Sequence, residues 1–249
     1  MPIKNTRSDW NEFARLNAQW AVLTDPERKY RPWKEEDFFS TGEARVGEIM
    51  NMIAAEGLKL NSGRALDFGC GVGRLTRALS PYFRSVKGVD ISPEMIKRAE
   101  KNLADLANIE LAVIGPEWRA EDRDDNFDLI LSDLTLQHLP DLRAVRYYLN
   151  LFARILGPGG ALFFQLPSVP GYSLFKTAML ESRGGLYYFL TALGFSRRFC
   201  FKKLRLSPRM RMNWLSAAAV RGSLPDNIVL SRVYGENSIN TAYLAVRRR

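Results

Sequence analysis

The chain has 249 residues, 46% of them apolar and 25% charged, with a net charge of +9 and two cysteines. Such a mix excludes a largely disordered chain, and the length suits one large domain or a core with an appendage. Cys70 and Cys200 stand far apart and His138 is the only histidine, which excludes a disulfide framework, a cysteine zinc site and a histidine-rich metal site.

The charge excess is local. No acidic residue occurs between Glu181 and Asp226, while that interval holds Arg183, Arg197, Arg198, Lys202, Lys203, Arg205, Arg209, Arg211 and Arg221. Outside it, 27 basic residues balance 27 acidic ones. Any argument about an anionic partner therefore concerns that interval. The first twenty residues contain no apolar h-region, and the longest apolar run (Leu186 to Phe195) is too short to cross a bilayer. A cytoplasmic location is expected, with peripheral membrane attachment as the variant.

Residues 9–22 have the spacing of an amphipathic helix with Ser8 as N-cap. A second helix is predicted from about Phe39 to Gly57, after a connector rich in proline and charge. From Arg64 the texture changes. "RALDFG" is a short apolar strand, and "CGVGRLTRALSPYF" is first glycine-rich, then helical. "SVKGVD" is a second strand, followed by a helix with Ser92 as N-cap and Pro93 in its first turn. "IELAVI", "FDLILS" and "ALFFQL" give strands three, four and five, with the helix "LRAVRYYLNLFARIL" before the fifth. This alternation predicts a parallel sheet with helices on both faces. It stops after Pro167. Residues 168–208 are basic and aromatic; then follow a predicted helix ("RMNWLSAAAVRG") and two strands joined by a short link, expected to be antiparallel. The expected organisation is a helical cap over 1–60 and a sheet-bearing core over 61–249, interrupted by the insert 168–208.

The chemistry concentrates after strand one. In doubly wound sheets, ligands bind at the carboxyl ends of strands where the strand order reverses. Gly69, Gly71 and Gly73 lie there, in the pattern G-x-G-x-G. A dinucleotide fingerprint needs glycine at position 74, which is Arg74, so a nicotinamide cofactor is disfavoured. Asp67 precedes the loop and suits a cationic group such as an α-amino group. Asp90 ends strand two, where a carboxylate can accept both hydroxyls of a ribose. A ligand with a cationic head and a ribose but no phosphate is S-adenosylmethionine.

These residues resemble the class I S-adenosylmethionine-dependent methyltransferases. "ALDFGCGVGRLT", "VKGVDISPEMIKRAEKN", "NFDLILSDLTLQHLPD" and "LFARILGPGGALFFQ" are similar to four of the family's motifs, in order. The resemblance covers about 64–166 and, more weakly, the last forty residues. It implies an α/β fold: a doubly wound, seven-stranded, mostly parallel Rossmann-like sheet whose last strand is antiparallel. It also implies S-adenosylmethionine as cofactor, S-adenosylhomocysteine as product, and a cofactor site formed by Asp67, Gly69, Cys70, Gly71, Gly73, Asp90, Ile91, Ser132 and Asp133. The family's "GDA" after strand three is "GPEWRAED" here, so Glu117 would take the acid's place with Trp118 near the adenine.

His138 is the candidate catalytic base, needed only if the acceptor must lose a proton; its alternative role is a pocket-shaping ring. Cys70 reads as a small apolar filler rather than a reactive thiol. "SDLT" after strand four lacks the N/D-P-P-Y of amino-methylating nucleic-acid enzymes. Gln137 stands where the quinone-biosynthesis relatives carry an acid that helps hold a metal, so no metal is expected. A small-molecule or lipid-like acceptor remains. The alternatives are an RNA methyltransferase using the basic insert and a catalytically inactive cofactor-binding protein. Trp20, Trp33, Phe38 and Phe39 are candidates for a cofactor lid. The insert itself could bind an anionic, partly apolar substrate, rest on an anionic membrane through 183–211, contact RNA, or simply be a solvated face.

Overall fold

The computed structural model describes residues 2–23, 25–115, 118, 126–171, 173–210 and 212–248. Five parallel strands form the centre: β1 (Arg64–Phe68), β2 (Ser85–Asp90), β3 (Ile109–Val113), β4 (Phe127–Ser132) and β5 (Leu156–Gln165). β6 (Ile228–Tyr234) and β7 (Ala242–Arg247) complete a seven-stranded sheet in the order β3-β2-β1-β4-β5-β7-β6. β7 is antiparallel to both neighbours, β5 and β6. The chain runs outward from β1 to β3, then returns to β4 on the other side. The order therefore reverses between β1 and β4, and a crevice opens there at their carboxyl ends.

The sheet is apolar on both faces because each face is covered. Ala65, Val86, Leu129, Leu131 and Phe163 point to one side and meet α2 (Glu35–Ala55) and α3 (Arg74–Leu79) through Val46, Ile49, Ile53, Leu75 and Leu79. Leu66, Phe68, Val89, Ile130, Leu162 and Phe164 point to the other. There they meet α5 (Leu142–Ile155) and α8 (Ala217–Arg221) through Val145, Leu149, Phe152 and Val220. α4 (Pro93–Asn102) packs beside β2 and β3. Its Ser92 cap accepts from the Met95 N–H, as the Ser-Pro-Glu opening predicts.

Three local expectations change. The first helix, α1 (Pro2–Val22), starts before Ser8, and it is broken at Asn17 (φ −164°, ψ 88°). The Asn17 side chain explains the break: its amide donates to the carbonyls of Arg28 and Lys29, and its oxygen caps the Trp20 N–H. α2 starts four residues before Phe39, with Glu35, Glu36 and Asp37 in the first turn where the helix dipole favours them. The helix expected from Arg211 is shortened to 217–221. Asn213 is instead held extended, its N–H to Gln137 O at 2.6 Å and its amide to Leu139 O at 2.6 Å.

Within 168–208 lie α6 (Leu174–Ala192) and α7 (Arg197–Lys202). They share a small core of Tyr187, Cys200 and Leu206, and dock on α1. Arg197 pairs with the buried Glu12 at 2.7 Å, the Tyr188 hydroxyl donates to Asp9, and the Phe201 ring packs on Trp20 and Tyr30.

Candidate functional site

The crevice between β1 and β4 opens into a cleft at the carboxyl ends of the strands. Its floor is the turn after β1. Gly69 and Gly71 adopt φ +81° and +56°, a region that side chains other than glycine rarely tolerate. A Cβ on Gly69 would lie 2.2 Å from the Thr135 side chain, and one on Gly71 would lie 2.5 Å from Val22. The turn is pinned to the next strand, because the N–H groups of Gly69 and Cys70 both donate to Val89 O. Gly73 (φ +89°) caps α3 and backs onto Leu103; it shapes the turn without lining the cleft.

Two carboxylates face this floor. Asp90 sits at the end of β2, and its oxygens accept from the Gly71 N–H (3.0 Å) and the Ser92 N–H (2.8 Å). Each oxygen keeps a second acceptor position. Burial pushes Asp90 up to about 6, even though these backbone bonds oppose the shift. Asp67 on β1 accepts from the Thr76 hydroxyl at 2.6 Å, and burial pushes it up to about 6 as well. Neighbouring Arg74 partly counters that rise. Arg74 is itself buried, with its Nε unpartnered, and it lines the cleft. Among the described residues, no cation binds directly to either carboxylate, and nearby stands a guanidinium with spare donors.

The other walls are apolar. Ile91, Met95 and Ile114 line the β2–β3 side, and Leu134, Leu139, Pro140 and Tyr148 the β4–α5 side. Leu134 holds φ +57°, a strained conformation for leucine, at the point where the chain leaves β4. Helix α1 roofs the cleft with Thr6, Trp10, Ala21 and Val22. It is tied down by Arg7 to Ile114 O (3.0 Å), Ser92 Oγ to Asn11 Oδ1 (2.6 Å) and Arg15 to Glu94 (2.8 Å).

The expected site residues fall into groups. Asp67, Gly69, Cys70, Gly71, Asp90, Ile91, Asp133 and His138 all line the cleft. Burial pushes the Cys70 thiol well up, so the group stays a neutral filler. Asp133 is engaged by Arg45 of α2, which donates to both of its oxygens at 3.1 and 2.9 Å. Ser132 is fully buried and does not line the cleft. Trp118 stacks on Phe68 at 6.3 Å and lies outside the lining, so Ile114 takes the wall position expected of it. Glu117 lies outside the described residues. Trp20 of α1 packs in one apolar cluster with Trp33, Phe38 and Phe39, and none of the four lines the cleft; Trp10 is the roofing aromatic.

His138 ends the single turn Leu136–His138. Its ring meets Trp10 edge-on at 5.4 Å, and its Nε2 lies 3.1 Å from the Gln137 amide nitrogen. The two side chains are thus hydrogen-bonded, with the tautomer of the ring setting which of them donates. Gln137 Oε1 is buried without a hydrogen-bond partner on a residue that lines the cleft. Sequence reasoning missed Trp10, Arg74 and Gln137 as site residues. Only Arg74 carried a signal, through its place directly after the glycine loop.

Comparisons with known proteins agree with this geometry. Residues 66–164 match a family model described as "Methyltransferase domain". A ubiquinone biosynthesis O-methyltransferase from Idiomarina loihiensis is 29% identical over 157 residues, 63% of this chain and 60% of that protein. The namesake from Xanthomonas oryzae pv. oryzae is 33% identical over 107 residues, 43% of this chain and 44% of that one. The chain thus spans less than two thirds of the length of these relatives. In fold, it is similar to an N-methyltransferase from Bradyrhizobium japonicum in complex with S-adenosyl-L-homocysteine (TM-score 0.60, 18% identity, 98% of both chains). It is also similar to magnesium protoporphyrin IX methyltransferase from Synechocystis (TM-score 0.57, 20% identity, 97% of both chains). The reversed strand order, the glycine turn with its paired carboxylates and the matched segment make residues 66–164 similar to the methyltransferase domain of the class I S-adenosylmethionine-dependent methyltransferases.

Proposed function

We propose that the chain transfers a methyl group from S-adenosylmethionine to a small, largely apolar acceptor. One observation carries the reading: two buried carboxylates on adjacent strands flank a glycine turn that leaves room for a ligand. These residues fit the cofactor. Asp67 suits its ammonium group, the spare acceptor positions of Asp90 suit the two ribose hydroxyls, and Arg74 suits its carboxylate. When bound, the cofactor supplies a methyl group already activated as a sulfonium.

The chain's own work is then positioning and the exclusion of water. The roof from α1 and the apolar walls exclude water. Gln137 Oε1 offers an acceptor to a hydroxyl or amine on the incoming molecule. An acceptor that carries a proton on its attacking atom would release it to water at the open mouth of the cleft. His138, hydrogen-bonded to Gln137 and edge-on to Trp10, serves this reading as a shaping and orienting ring. The relatives named for ubiquinone biosynthesis O-methylation support an oxygen acceptor on an apolar molecule.

Incubating the protein with methyl-labelled S-adenosylmethionine and a fractionated cell extract tests the reading. We expect label in a small organic-soluble product, and none with Asp90→Ala. Label confined to RNA or protein would contradict it.

A further inference from the structure

The insert exposes an apolar stripe that the fold does not use. Phe175, Met179, Leu186, Phe189 and Leu193 recur along α6 and its cap at spacings of three, four and seven, so they share one helix face. All five are exposed, Phe175 at 82%, Phe189 at 60% and Leu193 at 61%. The opposite face holds Gly184, Tyr187 and Tyr188, which pack toward Arg209, Cys200 and α1. The helix thus has two apolar faces, and only one of them is covered. The stripe runs for about 27 Å at 1.5 Å per residue. Beyond it Phe195 and Phe199 stack on each other, both about half exposed, and Leu204 continues the surface.

Cations border this surface. Lys176 and Arg183 run alongside the stripe, and Arg198, Lys202 and Lys203 on and beside α7 make no ion pair among the described residues. Glu181, the single acid on α6, is turned to Arg209 at 3.2 Å. No helix among the described residues is long and apolar enough to cross a membrane.

We propose that the exposed face of α6 and α7 docks on an anionic lipid surface. The apolar stripe enters the acyl boundary while the bordering cations meet lipid phosphates. Charge complementarity selects this occupant. A second copy of the chain related by two-fold symmetry would bring the same cations face to face. RNA could stack on the exposed phenylalanines but would leave Met179, Leu186 and Leu193 without an apolar partner. The face lies one helix away from the cleft, because Asp9 and Glu12 of α1 hold Tyr188 and Arg197 of the insert. Docking here requires no particular acceptor and no methyl transfer, so its test is separate from that of the proposed function.

Sedimentation with phosphatidylcholine vesicles, with and without about one third phosphatidylglycerol, tests the proposal. The wild type should pellet with the anionic vesicles only, and less as salt rises from about 50 to 300 mM. Phe175→Ser/Phe189→Ser/Leu193→Ser should weaken binding at least about tenfold. Arg198→Ser/Lys202→Ser/Lys203→Ser should remove most of the salt dependence. Both variants should keep the wild-type melting temperature and S-adenosylhomocysteine affinity. Absence of pelleting with anionic vesicles would overturn the proposal. Pelleting that neither variant changes would do the same, as would a dimer that the apolar variant dissociates without any vesicle binding.

Discussion

Asp67 and Asp90 give the site a pH signature with two opposite signs. Both are held at about 6, above the usual carboxylate range, mainly by burial. In the free protein they favour folding while protonated. That stability is complete below about pH 4 and is lost as pH rises through 6, at roughly 3 kcal/mol per group for a two-unit shift. Cofactor binding runs the other way, because an ammonium group and ribose hydroxyls need ionised acceptors. Affinity for S-adenosylhomocysteine should therefore rise between pH 5 and 7 while the melting temperature of the free protein falls. A flat affinity across that range would argue against both assignments. Gly71→Ala forces a side chain into a left-handed turn and against Val22, so it should weaken S-adenosylhomocysteine binding by about tenfold or more. If His138 only shapes the cleft, His138→Ala should raise the acceptor KM and leave kcat within about tenfold. A loss of kcat with cofactor affinity intact would make the ring the base.

At the scale of elements, α1 decides how closed the site is. It roofs the cleft through Trp10 and Val22, and the Asn17 break turns its second segment so that Ala21 and Val22 reach the glycine turn. Trp10→Ala should speed S-adenosylhomocysteine dissociation severalfold, measured by stopped-flow displacement, with little change in melting temperature; unchanged dissociation would mean that α1 is no lid. The amphipathic spacing of residues 9–22 revealed the helix but not its kink, which depends on a side-chain bond to the distant carbonyls of Arg28 and Lys29. Which aromatics roof the cleft is illegible in the sequence for a related reason. Trp10 and Trp20 have equal hydrophobicity in the sequence, and only the placement of α1 over the crevice tells the roof from the packing behind it. The contraction of the helix before β6 also came from tertiary bonds, those of Asn213 to the turn at 137–139. The βαβ core was legible because doubly covered strands and capped helices are local patterns: "FDLILS" and "SPEM" need no partner to be recognised.

The whole molecule carries two features that stand one helix apart. The β1–β4 crevice holds the paired carboxylates, and the insert between β5 and β6 carries the excess positive charge and the uncovered apolar face. The composition located that charge but not the stripe, because the spacing of Phe175 to Leu193 shows an amphipathic helix without saying which side the rest of the chain covers. Asp67 and Asp90 were identifiable from their distance to the glycines and Arg74 from its place directly after them, whereas Gln137 became visible only when the cleft showed its buried oxygen without a partner among the described residues. The most direct test of the account is calorimetric titration of the free protein with S-adenosylhomocysteine and, separately, with NAD. One equivalent of S-adenosylhomocysteine should bind, NAD should give no binding heat, and Asp90→Ala should lose the interaction by about a hundredfold. Binding of NAD with no response to S-adenosylhomocysteine, or an Asp90→Ala variant of undiminished affinity, would contradict it.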